Sequence, residues 1–429
     1  MKSCRRTIPM CLFVSMIFLG ICGKAYAEVN DSIKSSHFDR HLSLLQHVEE
    51  ISQGNNDLAF ALYSGLKEKE GNVLFSPYGV SLALANLYLG ADGETRSEIV
   101  KTMQFRNHRH DWESAFSLVF HSFHRERSLY RVNLLNTLWI DDEKPLLPSF
   151  FAESFKNGRG EIYGIDFKED LKKNLNQINQ TLLDLSEGKY RDFIHQGELR
   201  RDMEMLLCNA LDVEAEWVNS FQVIEQQPMK FYLQSLNKEV ETLAMEQMAR
   251  LPMYKNEIFS FLELPFTSRN IGGERLVMFI ILPHKGKNLS EIESIWSDEE
   301  LKLWMSRLFV SKVHLKMPMF TLKMRYSLQG EMKRLGMKNP WKEEANFSKI
   351  SPEKGLHLSD FFHLSSCSFN ERGCNFAKEK EKEYTGGRII SSEVSVPFFV
   401  DRPFVFIIFD KYTDMILLMG KLEDPLARL

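Results

Sequence analysis

Thiols are scarce in this chain of 429 residues: there are six cysteines, and Cys4, Cys11 and Cys22 fall within the first 27 positions. Cys208, Cys367 and Cys374 remain, with no CxxC and no Cys/His zinc spacing, so neither a disulfide framework nor a structural metal is expected to hold the fold. Catalytic signatures are also missing. There is no G-x-S-x-G elbow, no GxxxxGK[ST] loop, no HExxH and no GxGxxG after a strand, so the expectation is a protein that is not an enzyme and uses no cofactor. Glycine and proline together make 37 residues, too few for a collagen-like or low-complexity chain. What is present is an ordinary globular mixture, 44% hydrophobic and 26% charged.

Long apolar runs are limited to Ile8–Ile21, which Pro9 interrupts and which falls short of the ~20 residues a membrane span needs. Lys2, Arg5 and Arg6 precede it and Ala25-Tyr26-Ala27 follows, the anatomy of a secretory signal over 1–27 with cleavage before Glu28. A secreted protein is expected, or a periplasmic one in a bacterial host. Removing the leader takes away four cations and leaves 50 against 58 acids, a net charge of −8. That opposes global capture of nucleic acid or anionic lipid.

Residues 28–56 are polar, and an amphipathic helix is expected to open at Asp57, where the folded domain starts and from which it runs to 425. Ser76 before Pro77 reads as an N-cap, with the buried helix after it stopping at Gly90, and Thr95 with Glu98 reads as a capping box. Leu171, Leu175, Ile178, Leu182 and Leu185 form one helical stripe closed by Gly188. Strands are expected from about 205 onward, including 276–282, 404–409 and the alternation Val313, Leu315, Met317, Met319. Helices first and strands later, without a βαβ rhythm or a linker, favour one α+β domain.

Two clusters were weighed as sites. His108, His110, His121 and His124 lie within 17 residues, beside Arg106, Arg109, Arg125, Arg127 and Arg131. A weak polyanion contact near Arg125 is one reading; a solvated face is favoured, because no carboxylate or thiolate pattern fixes a metal geometry. Four sequons, at Asn30, Asn179, Asn288 and Asn346, matter only in a glycosylating host.

From Asn72-Val73-Leu74-Phe75-Ser76-Pro77 and Gly90-Ala91-Asp92-Gly93-Glu94-Thr95 onward, the chain resembles the serpin family. Further matches follow in order: Asn209-Ala210 with Trp217, Leu264-Pro265-Phe266, Met317-Pro318 with Phe320, and Leu335-Gly336-Met337. Leu358-Ser359-Asp360 with His363, Asn370-Glu371-Arg372-Gly373, Asp401-Arg402-Pro403-Phe404 and Met419-Gly420 complete the series. The resemblance implies a single α+β domain of three β-sheets and eight or nine helices, a monomer, with an exposed reactive loop within 371–400. In inhibitory relatives a protease cuts that loop and the cut end enters the central sheet as a new strand. The resemblance also implies a polar cluster of Ser76, Asn209 and His363 beneath that sheet, poorer by one hydrogen bond because Gly79 replaces a second serine. It implies Trp217 at the top of the sheet, and a hinge at Glu371, Gly373, Cys374 and Phe376 that lacks its usual ion pair, since Met319 replaces a basic residue.

The loop itself carries Lys378-Glu379-Lys380-Glu381-Lys382-Glu383. At the strand period of two, either face turned inward presents three like charges. Neutralising one buried lysine costs about 4–7 kcal/mol, against about 0.5–1.5 kcal/mol returned per new ladder bond. Phe376 adds bulk. The charge run therefore weighs against insertion and favours a non-inhibitory protein that binds an unidentified protein ligand. The alternative is suicide inhibition of a trypsin-like serine protease. Counting from the hinge points to Gly387 as the cut, counting back from Pro403 points to Ser392, and Arg388-Ile389 is the only basic bond between them. A redox role for Cys374 is the third and weakest reading.

Overall fold

The computed structural model describes residues 46–105, 112–123, 130–156, 160–267, 275–375 and 394–427. The described residues open with helix α1 over 46–66. The helix expected at Asp57 thus already runs from 46, inside the segment read as polar. Asn55 and Asn56 caused the misreading, because both are buried: Asn55 donates to the Ile416 carbonyl at 3.0 Å, and Asn56 bonds Asp298 at 2.8 Å and the Ile416 amide at 2.9 Å. A buried amide with a partner for each end has the polarity of a surface residue and the location of a core one.

After β1 (Val73–Phe75), Ser76 caps α2 (Pro77–Gly90) by accepting the Gly79 amide at 2.9 Å. In α3 (Gly93–Thr102), Thr95 and Glu98 do not cap, because the helix starts three residues earlier than a capping box there would require. They hold the segment at 338–346 instead: Glu98 accepts the amides of Lys338 and Asn339 at 2.6 Å, and Thr95 accepts that of Asn346 at 2.7 Å. Next come α4 (Trp112–Phe123), β2 (Tyr130–Asp141), α5 (Pro148–Lys156), β3 (Glu161–Ile165) and α6 (Leu171–Leu185). The strand-rich half follows: β4 (Met205–Glu216), β5 (Gln222–Leu233), β6 (Lys238–Lys255), β7 (Phe259–Pro265) and β8 (Leu276–Pro283). Helices α7 (Leu289–Glu293) and α8 (Asp298–Ser306) lead to β9 (Phe309–Pro318) and β10 (Phe320–Ser327). Short α9 (Gln329–Arg334) precedes β11 (Leu358–Phe369), β12 (Gly373–Cys374), β13 (Val396–Phe399), β14 (Phe404–Asp410) and β15 (Met415–Leu422).

Six strands form one sheet in the order β10-β11-β12-β4-β2-β3. The other nine form one hydrogen-bonded network. The three expected sheets are present, two of them joined because the 18 residues of β6 run through both, pairing β5 and β9 along most of their length and β7 at Met253–Lys255. β8, β14 and β15 are buried at every residue, which explains their unbroken apolar runs. Strands β2 and β3 in the first half were not legible, because β2 carries Asn133, Asn136 and Thr137 among its apolar residues.

The main core fills the space between the sheets, and a second core lies between the six-stranded sheet and α6. Asp170 starts α6 by accepting two backbone amides, and Gly188, at φ +88°, closes it by donating to the Leu183 carbonyl at 2.8 Å. Just beyond, Tyr190 donates its hydroxyl to Asp212 on β4 at 2.6 Å, and Asp212 faces Ser366 across the pairing with β11. Lys189 and Asn133 complete the Asp212 carboxylate at 3.2 and 2.8 Å. Burial first, and the Asp212 charge second, push the Tyr190 hydroxyl well above its ordinary range, so it remains a donor. Tyr190 therefore ties the turn after α6 to β4, beside the sheet's parting line. Replacing Tyr190 with Phe leaves buried Asp212 one donor short and should lower stability by about 1–3 kcal/mol. The urea midpoint measures this, and a midpoint equal to wild type would exclude it.

Candidate functional site

β4 and β11 run parallel and pair from Met205/Leu358 up to Asp212/Ser366, and above that point they diverge around β12. Two side-chain groups hold this arrangement. The lower one is the predicted polar cluster, which the structure brings together. His363 lies on β11 directly opposite Asn209 on β4, and its Nδ1 bonds the Asn209 carbonyl oxygen at 2.8 Å. An amide oxygen only accepts, so Nδ1 carries the proton and Nε2 is free to accept. Nε2 takes the Ser76 backbone amide at 2.9 Å and the Ser365 hydroxyl at 3.1 Å. Ser76 in turn gives its hydroxyl to the Leu417 carbonyl at 2.7 Å. All four residues are fully buried, and burial pushes His363 down to about 3.

The expected gap at Gly79 is corrected by this geometry. A Cβ there would stand 2.7 Å from the Asn209 side-chain oxygen, so a serine has no room, and Ser365 supplies the hydroxyl from the opposite strand. Ser365 went unnoticed in the sequence, although its position two residues from His363 puts both side chains on one face of a strand.

The upper group surrounds Trp217. Its ring stacks on Phe266 at 4.3 Å and on Phe369 at 5.9 Å, and its indole nitrogen donates to the Asn370 carbonyl at 2.9 Å. The hinge backbone closes over it: the Arg372 carbonyl accepts the Trp217 amide and the Glu371 carbonyl accepts the Phe221 amide, both at 2.8 Å. Glu371 thus acts here through its backbone. A hinge ion pair does exist, made by a different residue: Arg372 reaches Glu216 at 2.9 Å across the half-open surface.

Gly373 and Cys374 then enter between the flanking strands, opposite Glu216 and Ala215 on β4, with Cys374 also opposite Phe369 on β11. Glycine is required at 373, since a Cβ would stand 1.9 Å from the Ala215 carbonyl oxygen. The Cys374 thiol is fully buried, and burial, reinforced by Cys367 nearby, pushes it well above its ordinary range, so it is no nucleophile. Cys208 and Cys367 are likewise buried, with their thiols pushed up by burial, and all three are free.

The strand stops at Asn375. Its backbone adopts φ +56°, in the left-handed region, and its side chain bonds both banks of the opening. The amide nitrogen donates to Val213 on β4 at 3.0 Å and to Ser366 on β11 at 3.3 Å, while the amide oxygen accepts the Ser368 amide at 2.8 Å. Phe376, the Lys/Glu run, the cleavage candidates Gly387, Arg388, Ile389 and Ser392, and the basic cluster at Arg125, save Arg131, with three of its four histidines lie outside the described residues. His121, the fourth, packs edge-on against Phe120.

The family model described as Serpin (serine protease inhibitor) matches residues 53–425, most of the chain. The chain belongs to the serpin family. An uncharacterized serpin-like protein of Methanosarcina acetivorans is 28% identical over 88% of this chain and 87% of its own length. The leukocyte elastase inhibitor of Bos taurus is 28% identical over 88% of this chain and 100% of its own. The structure of human thyroxine-binding globulin complexed with thyroxine superposes with a TM-score of 0.79 at 24% identity, covering 89% of this chain and 100% of that one. At that identity the likeness speaks for the fold alone. Among the described residues of this serpin no helix is long and apolar enough to cross a membrane.

The polar cluster gives this serpin an acid-sensitive closure. His363 is neutral when folded and its value lies below the ordinary 6.5, so its contribution to stability is complete above pH 6.5 and is lost as pH falls toward about 3. Stability should decline by up to about 1.4 kcal/mol per pH unit through that window from this residue alone. Melting curves between pH 7 and 5 on wild type and His363→Gln should show the steeper loss in wild type. Equal slopes would remove His363 as the titrating group.

Proposed function

We propose that this serpin is secreted and acts as a binding protein whose reactive loop is displayed rather than inserted. The observation that carries this reading is the end of β12 at Asn375. A strand that is to grow downward must rotate that residue out of its left-handed conformation and break three hydrogen bonds to β4 and β11. It must also part the parallel pairing below and the His363 cluster within it.

The register at the hinge further identifies which charges would be buried. Continued strand pairing would bring Lys378 between Leu211 and Ser365, Lys380 between Asn209 and His363, and Lys382 between Leu207 and Phe361. These six neighbours are fully buried, and Leu207, Leu211 and Phe361 belong to the main core. The glutamates at 379, 381 and 383 would face Ala210, Cys208 and Leu206, beneath α6. Neither face offers water to three like charges, and desolvation outweighs the ladder bonds gained.

A second reading has its own support. Two residues of the hinge already lie between β4 and β11, Arg388 offers a trypsin-like bond, and a relative is named as an elastase inhibitor. On that reading the partner is a serine protease trapped after cleavage near Arg388.

Cutting the loop with trypsin separates the two. The melting temperature should stay within about 1–2 °C of the intact protein, the shift that about 1 kcal/mol produces in a domain of this size. Replacing Lys378, Lys380 and Lys382 together with alanine should restore a clear rise on cutting. A large rise in the clipped wild type, or a denaturant-resistant adduct with trypsin, would overturn the binding reading.

A further inference from the structure

A cavity of about 460 Å³ opens beside the upper half of β2. It exists because β3 pairs only with residues 137–141, so that from Tyr130 to Leu135 the strand meets Phe123 of α4 and the turn after α6 instead. The volume lies within the roughly 300–1,000 Å³ of small-molecule sites. Leu134 and Leu185 contribute apolar wall, and Leu185, although it belongs to the apolar stripe of α6, is 39% exposed.

Four charged residues line the cavity: Arg131, Glu187, Lys189 and Asp212. Two are fully engaged. Asp212 accepts from Asn133, Lys189 and Tyr190, and Lys189 divides itself between Asp212 and Glu214 at 3.2 and 2.5 Å. Arg131 and Glu187 are different. Both are exposed, and no hydrogen bond or ion pair joins either side chain to another described residue. Arg131 lies opposite Glu214 in the strand pairing, but that carboxylate is already held by Lys189 and Asn133.

A fatty acid would satisfy Arg131 and leave Glu187 facing its chain, and a cationic amphiphile would do the reverse. A molecule with both charges and an apolar group meets all three features of the lining. We propose that this cavity binds a small zwitterion bearing an apolar group, a free amino acid or a dipeptide, its carboxylate at Arg131 and its ammonium at Glu187. The cavity wall contains Tyr190 and its partner Asp212, the last residue of β4 to pair with β11, so an occupant favours the closed sheet. The site names a ligand class for the binding reading above, but it does not depend on whether the loop inserts.

Calorimetric titration of the full protein with L-leucine and with Leu-Leu tests the proposal. One equivalent of either probe should bind, the tighter one naming the source. N-acetyl-leucine, without the ammonium, and leucinamide, without the carboxylate, should each bind about tenfold or more weakly, the loss expected for one charge-assisted contact. Glu187→Gln should abolish the discrimination against N-acetyl-leucine and Arg131→Gln that against leucinamide. Both side chains are exposed, and unchanged melting confirms that the variants fold. Absence of binding by either probe, or discrimination that survives in both variants, overturns the site. Running the titration on intact and trypsin-clipped protein keeps the two readings apart: a rise in melting temperature on clipping overturns loop display while binding stands, and absent binding overturns the site alone.

Discussion

The parallel pairing of β4 with β11 is the constraint on which the rest of this molecule depends. The candidate site among the described residues is arranged along that one seam: the His363 cluster lower down, Tyr190 on the α6 side, and Trp217 with the expected hinge above. Parallel ladders are slightly weaker per residue than antiparallel ones, so a seam of this kind relies on side chains to stay shut. Here a buried neutral histidine and an asparagine amide bond across it, and a phenol holds its β4 side. Each makes hydrogen bonds whose loss would leave a buried polar group unsatisfied.

Much of the fold could be read from the residues alone. The apolar runs at 276–282 and 404–409 became strands because they are covered on both faces, and Ser76-Pro77 capped its helix as that pair does anywhere. Reading failed where chemistry depended on distant partners. Asn55 and Asn56 looked exterior because nothing local announces a carbonyl some 360 positions away, and Thr95 with Glu98 mimicked a cap while holding a remote segment.

The site was legible in the same uneven way. Ser76, Asn209 and His363 were expected together and are together. Ser365 and Tyr190 were not expected, since a serine on a strand and a tyrosine after a helix carry no signal until the seam between β4 and β11 is known. A hinge ion pair was not expected, with Met319 in place of a basic residue, and one is made instead between Arg372 and Glu216.

The two ends of the segment expected to form the reactive loop are anchored in different sheets. Its first end is held by β4 and β11, while the chain that follows it belongs to the nine-stranded network through β13 on β9 and β14 between β8 and β15. A peptide bond broken anywhere between those anchors therefore frees no piece of the molecule. The carboxy-terminal fragment supplies interior strands and would stay embedded, so the severed chain persists as a two-piece particle until a denaturant dissolves the sheets themselves.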